Sequence, residues 1–346
     1  MKSPTIYDVA EKAGVSIATV SKVINNTGRI SDKTRKKVLS VMDELNYYPS
    51  VVASALTGKR THMIGLLLPN LANPFYAELA RNMEDRADEL GYSLVICSTD
   101  YKEEKEQKYV SLLIRKRVDG FIITSGFNNV DLVQELLDHK IPVTLIAYNI
   151  TRKSLNTVSV DDYTGGYQAT AHLAELGHKR IAVITEQVQS SADRIRGYKT
   201  ALNDFELLYD DNLFSEAQAT VENGEKEAGK LLNLEDPPTA IFAFNDILAI
   251  GAMEAVHKRG LSIPEDVSII GFDNTILAKH CYPPLTTMAQ PLDEIGNQAV
   301  DLLVGEIESK ITRKQRVMLS AELVIRDSTG PLKKKKKTNA SDVSIQ

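Results

Sequence analysis

Ile17, Ala18, Ser21 and Lys22 share one side of a short helix in the stretch GVSIATVSKVINN, residues 14–26, and all four are small or flexible. A helix with such a face can approach the edges of base pairs closely. Lys22 can donate to guanine O6 or N7, while Ile17 and Ala18 can touch thymine methyl groups. Thr19, Ser21, Asn25 and Arg35 are placed to hold phosphates. A long acidic side chain on this face would repel the same phosphates. Thr5, Tyr7 and Ser16 complete the set of expected DNA contacts within the first 49 residues.

Three helices must position that face. Thr5-Ile6-Tyr7-Asp8 reads as a capping box, and Ile6, Val9, Ala10 and Ala13 follow at helical spacing up to Gly14. Ser16 caps a second helix whose inward stripe is Val20, Val23 and Ile24, beside Val15 at the turn. Ser31 caps a third, with Val38, Val41, Met42 and Leu45 inward, which stops before Pro49. Helix, glycine turn, helix and supporting helix make a helix-turn-helix module whose second helix enters the major groove. Ser, Thr and Lys occur on any solvated helix, so the reading gains weight from charge. Residues 1–60 carry ten Lys and Arg against five Asp and Glu, whereas residues 61–330 sum to -14. A basic head on an acidic body implies a polyanionic partner for the head alone.

Residues 50–58, SVVASALTG, are too short to be helical in isolation. They read either as a plain linker or as a hinge helix that forms against DNA and a partner copy, with Leu56 wedged into the minor groove.

From His62 onward, strands alternate with helices, the pattern of an α/β protein with doubly wound parallel sheets. The strands MIGLLLPN, SLVICST, DGFIITS and PVTLIAY alternate with helices near 74–90, 103–117 and 130–139. A second series follows TVSVDD: helices near 164–176, 193–205, 223–233 and 246–259, with strands RIAVIT, TAIFAF and DVSIIGF. After LTTMAQP, a helix over 292–308 and a single strand, MLSAELVIR, return to the first unit. A chain that crosses repeatedly between two such lobes makes a hinged clamshell, with its ligand cleft at the carboxyl ends of the strands. The expected organisation is a DNA-binding domain over 1–49, a hinge over 50–60 and a two-lobed effector and dimerisation domain over 61–330. Its first lobe spans about 61–160 plus 291–328, and its second about 161–290. A Lys-rich tail over 331–346 lacks periodicity and reads as disordered.

The signatures TIYDVAEKAGVSIATVSKVINN, SDKTRKKV, LNYYPSVVASALTGKR, FAFNDILAIGAM, SIIGFDNT and PPLTTMAQP together resemble the lactose-repressor and galactose-repressor family of bacterial transcription regulators. The resemblance runs from about residue 4 to 328, with head, hinge and both lobes in order. It implies a homodimer on a palindromic operator, with Leu56 as the family's intercalating leucine and Ala53 beside it in the hinge. Ile17-Ala18 is similar to the purine and catabolite-control branch, which implies a central CG step. Lys22 stands where most members have Arg, and lysine lacks the bidentate fork. The body resembles a periplasmic-binding-protein-like effector domain. By motif, Arg194, Asn245 and Asp273 match effector contacts of the second lobe, and Asn73, Phe75 and Tyr76 those of the first. Such a set suits a sugar, a sugar phosphate or a purine. The stretch AQATVENG, residues 217–224, lacks the aromatic that many members place there for sugar stacking. Some catabolite-control relatives respond instead to a phosphorylated carrier protein on the first lobe, which gives a second candidate partner.

Enzyme readings find no support in the motifs. G-x-S-x-G, the phosphate loop and H-E-x-x-H are all absent, and Gly165-Gly166 does not complete a dinucleotide fingerprint. Those glycines are expected to serve a turn and close packing. The six histidines form no ligand pair in sequence, and Cys97 and Cys281 have no metal spacing, so no metal or cofactor is expected. A solute-binding transport protein would share the clamshell, but it should carry a secretion signal in place of a basic head. With no apolar run of membrane-spanning length, the expected location is the cytoplasm.

Overall fold

The structure is a computed structural model, and it describes residues 4–24, 27–47, 60–147, 150 and 154–333. The chain divides into two compact units at Thr61 and His62. In the first, α1 (Ile6–Ala13), α2 (Ile17–Ile24) and α3 (Asp32–Glu44) enclose Val9, Ala13, Val20, Val23, Val38 and Met42. Each helix starts on the side chain expected of it. The Thr5 backbone N–H and hydroxyl both donate to Asp8 Oδ2 at 2.7 Å. Thr19 N–H donates to Ser16 Oγ at 3.1 Å, and Thr34 N–H to Ser31 Oγ at 3.2 Å. Gly14 closes α1 at φ 64°, ψ 38°, a left-handed conformation that costs glycine little and other residues more. The hinge stretch 50–58, with Ala53 and Leu56, lies outside the described residues, as does Asn25.

The second unit holds two six-stranded sheets among the described residues. The first is ordered β11-β5-β4-β3-β1-β2, from β1 (Met63–Leu68), β2 (Ser93–Ser98), β3 (Gly120–Thr124), β4 (Val143–Ile146), β5 (Asn156–Val160) and β11 (Arg316–Leu319), and every pair in it is parallel. The second, β12-β10-β9-β8-β6-β7, comprises β6 (Ile181–Thr185), β7 (Phe214–Glu216), β8 (Ala240–Ala243), β9 (Ser268–Asp273), β10 (Thr286–Ala289) and β12 (Glu322–Val324). Only β12 runs antiparallel to its neighbour in that sheet. Strands β3, β4, β6, β8 and β9 are buried along their whole length, as interior strands covered on both faces must be. Helices α4 (Pro74–Glu89), α5 (Glu103–Arg115), α6 (Val130–Asp138) and α12 (Leu292–Ile307) belong to the first lobe. The second lobe holds α7 (Asp162–Glu175), α8 (Gln189–Asp204), α9 (Val221–Leu232), α10 (Asp246–His257) and the short α11 (Ile276–His280). One apolar core runs from Leu66, Tyr76 and Met83 in the first lobe to Phe242, Phe272 and Met288 in the second.

The returning strand differs from expectation. MLSAELVIR is two strands, not one: Leu319 pairs with Val160 in the first sheet, while Leu323 pairs with Met288 in the second. Residues 322–328 therefore belong to the second lobe, and the chain crosses between lobes after β5, after β10 and after β11. Alternation marks an edge strand but does not say which sheet receives its hydrogen bonds, so the sequence pattern could not show the break. Residues 331–333, expected to open a disordered tail, stay on the second lobe, where Leu332 N–H donates to Leu176 O at 2.9 Å. Helix α8 starts four residues before the expected 193, because Gln189, Ser190 and Ser191 carry no apolar period. Gly165 and Gly166 lie inside α7, not in a turn. The close packing expected of them is present, since a Cβ on Gly166 would come within 2.3 Å of Arg194 O.

Candidate functional site

On the first unit, burial of Val20 and Val23 turns the other side of α2 outward. Ile17 is 41 % exposed, Ala18 and Lys22 are exposed, and Thr19 and Ser21 are half-buried. Tyr7, at 67 % exposure, is open on α1, and Arg35 is half-buried on α3. Thr5 and Ser16 are engaged as caps, and the Ser16 and Thr19 hydroxyls are hydrogen-bonded at 2.9 Å. The N-terminal end of α2 thus presents hydroxyls, apolar methyl groups and backbone N–H dipoles without a carboxylate in its first turn. That is a chemistry for phosphates and base edges.

In the second lobe, Arg194 reaches from α8 toward the strand ends and is only 5 % exposed. Its Nε donates to Asp162 Oδ1 at 2.7 Å, Nη1 donates to Phe244 O, and the guanidinium carbon lies 3.5 Å from the Phe272 ring centre. Burial outweighs the attraction of Arg194 and leaves the Asp162 carboxyl above its ordinary pKa. Asn245 caps α10, accepting from Leu248 N–H at 2.8 Å, and its Nδ2 donates to Glu186 Oε1 at 3.1 Å. Asp273 ends β9 at φ 112°, a strained value for a residue other than glycine, and accepts from Gln290 Nε2 at 2.7 Å. Burial, and then the nearby Asp246 carboxylate, raise the Asp273 pKa well above the usual range. Asp246 is itself pushed up to about 6 by burial, although Thr275 and Thr287 donate to it.

In the first lobe, Asn73 caps α4 by accepting from Phe75 N–H at 3.0 Å. Phe75 and Tyr76 meet edge to face at 5.0 Å, and Tyr76 Oη lies 3.1 Å from Ser125 Oγ. The Tyr76 pKa is raised mainly by burial, then by Tyr101, Glu186 and Asp273, the last two from the opposite lobe. Beside this buried layer, a cavity of about 420 Å³ opens between Tyr101, Gly126 and Asn128 on one lobe and Glu186–Val188 and Glu216–Gln218 on the other. The two sides meet at the carboxyl ends of β2, β3, β6 and β7, the ligand position of doubly wound sheets.

None of the six residues matched by motif is among those lining this cavity. Tyr76 adjoins it through Tyr101, with which it hydrogen-bonds, and Asn245 adjoins it through Glu186. The lining residues went unnoticed in the sequence because they belong to loops after strands, which carry no periodic signal. Glu106 was missed as well: fully buried on α5, it accepts from the Asn128 and Asn129 N–H groups at 3.0 and 2.9 Å and so fixes the Asn128 loop. One signal was readable. Residues 217–224, noted for their missing aromatic, supply Ala217 and Gln218 to the cavity wall. No group of three or more His, Cys, Asp or Glu among the described residues could hold a metal ion, and no helix among them is long and apolar enough to cross a membrane.

Comparison with known proteins adds a family context. Residues 5–50 match the profile of the bacterial regulatory proteins of the lacI family, and residues 170–329 that of a periplasmic binding protein-like domain. The HTH-type transcriptional regulator DegA of Bacillus subtilis (strain 168) is 49% identical over 333 residues, covering 95% of this chain and 98% of its own. Catabolite control protein A of Priestia megaterium is 37% identical over 94% of this chain and 99% of its own. Among solved structures, the lac repressor dimer bound to operator and the anti-inducer ONPF superposes with a TM-score of 0.83 at 30% identity, covering 95% of this chain and 100% of that one.

Proposed function

Since the chain belongs to the LacI family of bacterial transcriptional regulators, we propose that it is a cytoplasmic repressor that binds a palindromic operator as a homodimer and is switched by a small effector in the interlobe cleft. The observation that carries this reading is the coexistence in one chain of the outward α2 face and the cleft of about 420 Å³ at the strand carboxyl ends. Ile17, Ala18 and Lys22 read base edges, with a CG step at the operator centre, while Tyr7, Thr19, Ser21, Asn25 and Arg35 hold the backbone. Ala53 and Leu56 act in the hinge, where Leu56 is the minor-groove wedge.

Exposed apolar side chains support self-association. Leu71 and Ile96 are 45% and 39% exposed on the first lobe, Ile96 on the edge strand β2. On the second lobe, Ile276 and Tyr282 are 51% and 87% exposed, and Tyr282 borders a groove with Ile250, Met253 and Leu277. Clustered exposure of this kind marks a surface that a partner covers.

The switch is a shift in population between DNA-competent and incompetent dimers. Asp273, Arg194 and Asn245 couple the ligand to the second lobe, and Asn73, Phe75 and Tyr76 to the first. One contact between the lobes, Ile276 N–H to Glu78 Oε1 at 2.9 Å, belongs to the present arrangement and is open to change when the cleft moves. A phosphorylated carrier protein as the trigger would require accessible cations on the first lobe. On the face of α4 and α12, however, Arg86 is held by Glu89 and Asp301, and Arg81 by Glu84 and Asp85, which favours the small molecule.

The test is a titration of a duplex carrying a palindrome with a central CG step. Two chains per duplex, and loss of preference over a scrambled duplex in Lys22→Ala, are the expected results. One chain per duplex, or equal affinity for both duplexes in the parent protein, would contradict the reading.

A further inference from the structure

The charge of the cleft narrows the chemistry of its ligand; this step rests on the cleft being the effector site. Glu186 and Glu216 both line the cavity, on the loops after β6 and β7, and no Lys, Arg or His lines it with them. Glu186 receives one neutral hydrogen bond, from Asn245 Nδ2 at 3.1 Å. Glu216 receives one from Gln187. The guanidinium of Arg194, the cation of this layer, is already committed to Asp162 and to Phe244 O. Behind the cavity Asp273, 6 % exposed, adds a further carboxyl met by a single amide donor.

Carboxylates partly withdrawn from water and met only by amides are poorly solvated, and a cation placed against them restores what burial removed. A phosphate in the same space would face like charge from both lining glutamates. The amides of Gln187, Gln218 and Asn128 offer hydrogen bonds to hydroxyl groups, and Tyr101 is the one aromatic on the lining. A volume of about 420 Å³ is at the scale of a small metabolite. We propose that the effector carries a protonated amine set against Glu186 and Glu216, on a small polar frame held by the surrounding amides, and that the cleft excludes phosphorylated compounds. Sugar phosphates thereby leave the set of candidate effectors.

The experiment uses the full chain and matched probes: D-glucose, D-glucosamine and D-glucose 6-phosphate, with butane-1,4-diol and putrescine as a second pair. Affinities are read by calorimetry and by the rise in unfolding temperature. The ammonium compounds are expected to bind about tenfold more tightly than their alcohols, in keeping with one added charge contact at partial burial. Glucose 6-phosphate is expected to bind more weakly than glucose. In Glu186→Gln, and further in the double variant with Glu216→Gln, the ammonium advantage disappears while glucose affinity, the control for folding, is retained. The proposal is overturned if the phosphate ester binds as tightly as the amine, if neither amine outbinds its alcohol, or if the advantage survives in the double variant. Operator affinity without any compound is measured alongside. Its absence would sink the repressor reading, whereas its presence without an amine preference would sink only the ligand assignment.

Discussion

Asp273 is the residue at which ligand chemistry and backbone strain coincide. Its φ of 112° and its single donor, Gln290, mark a carboxyl held in place at a cost that surrounding contacts offset. Asp273→Ala is expected to abolish the response of operator affinity to any effector while the protein still binds operator; a normal dose response in the variant would refute that role. On the head, Lys22 is exposed on the outward face of α2, and Lys22→Ala is expected to cost about 1–3 kcal/mol of discrimination at one base pair. A uniform loss across all sequences would assign Lys22 to phosphate instead. At this scale the sequence was legible where a side chain both caps and faces outward, as at Thr5, Ser16 and Ser31. It was mute at Glu186, Gln187 and Glu216, because nothing in a loop's residue types says which cavity the loop will border.

Among the elements, α7 and α8 cross at their glycines. A Cβ on Gly197 would stand 2.1 Å from Tyr163 O, so Gly197→Ala must push α8 away from α7 and carry Arg194 off Asp162 and Phe272. A loss of about 1–3 kcal/mol in unfolding free energy is expected, as for other overpacked sites, and an unchanged unfolding temperature would contradict it. The C-terminal strap makes a second element-level case. His178 Nδ1 lies 2.9 Å from Thr239 Oγ1, and Nε2, facing Gly330 O at 3.1 Å, must carry the proton; His172 Nε2 meets Thr329 Oγ1 at 2.9 Å. Burial lowers both pKa values below 6.5, so folding favours the neutral rings. Their contribution is complete above that value and is lost as the pH falls through it toward the lower folded-state value. Between pH 7.5 and 5 the parent is expected to lose more stability than His178→Gln, measured by chemical unfolding; equal losses would remove the histidine from the explanation. Strands such as MIGLLL and SIIGFD were readable as unbroken apolar runs, and their parallel pairing followed from the intervening helices. The division of MLSAELVIR between two sheets was not readable, since each half alternates in the same way.

The molecule as a whole joins a basic head of three helices to an acidic pair of lobes, and that asymmetry was visible in the amino-acid counts before any element was drawn. The two-lobed architecture was legible for the same reason as its strands: the βα alternation occurs twice, and the motifs of head and body come in a fixed order. The ligand's identity was not legible, because it depends on the convergence of loops from opposite lobes. In the hinge, Leu56→Ala is expected to weaken operator binding and leave effector binding intact, whereas equal operator affinity in both proteins would remove the wedge. Phosphate contacts make all such affinities fall with salt, so comparisons belong at one ionic strength. The most direct test of a ligand-switched repressor is operator affinity at fixed salt on the central-CG palindrome and on a scrambled duplex, each with and without a panel of amines, sugars and purines. A repressor of this kind binds the palindrome far more tightly, and one compound shifts that affinity; equal binding to both duplexes, unmoved by every compound, would contradict it.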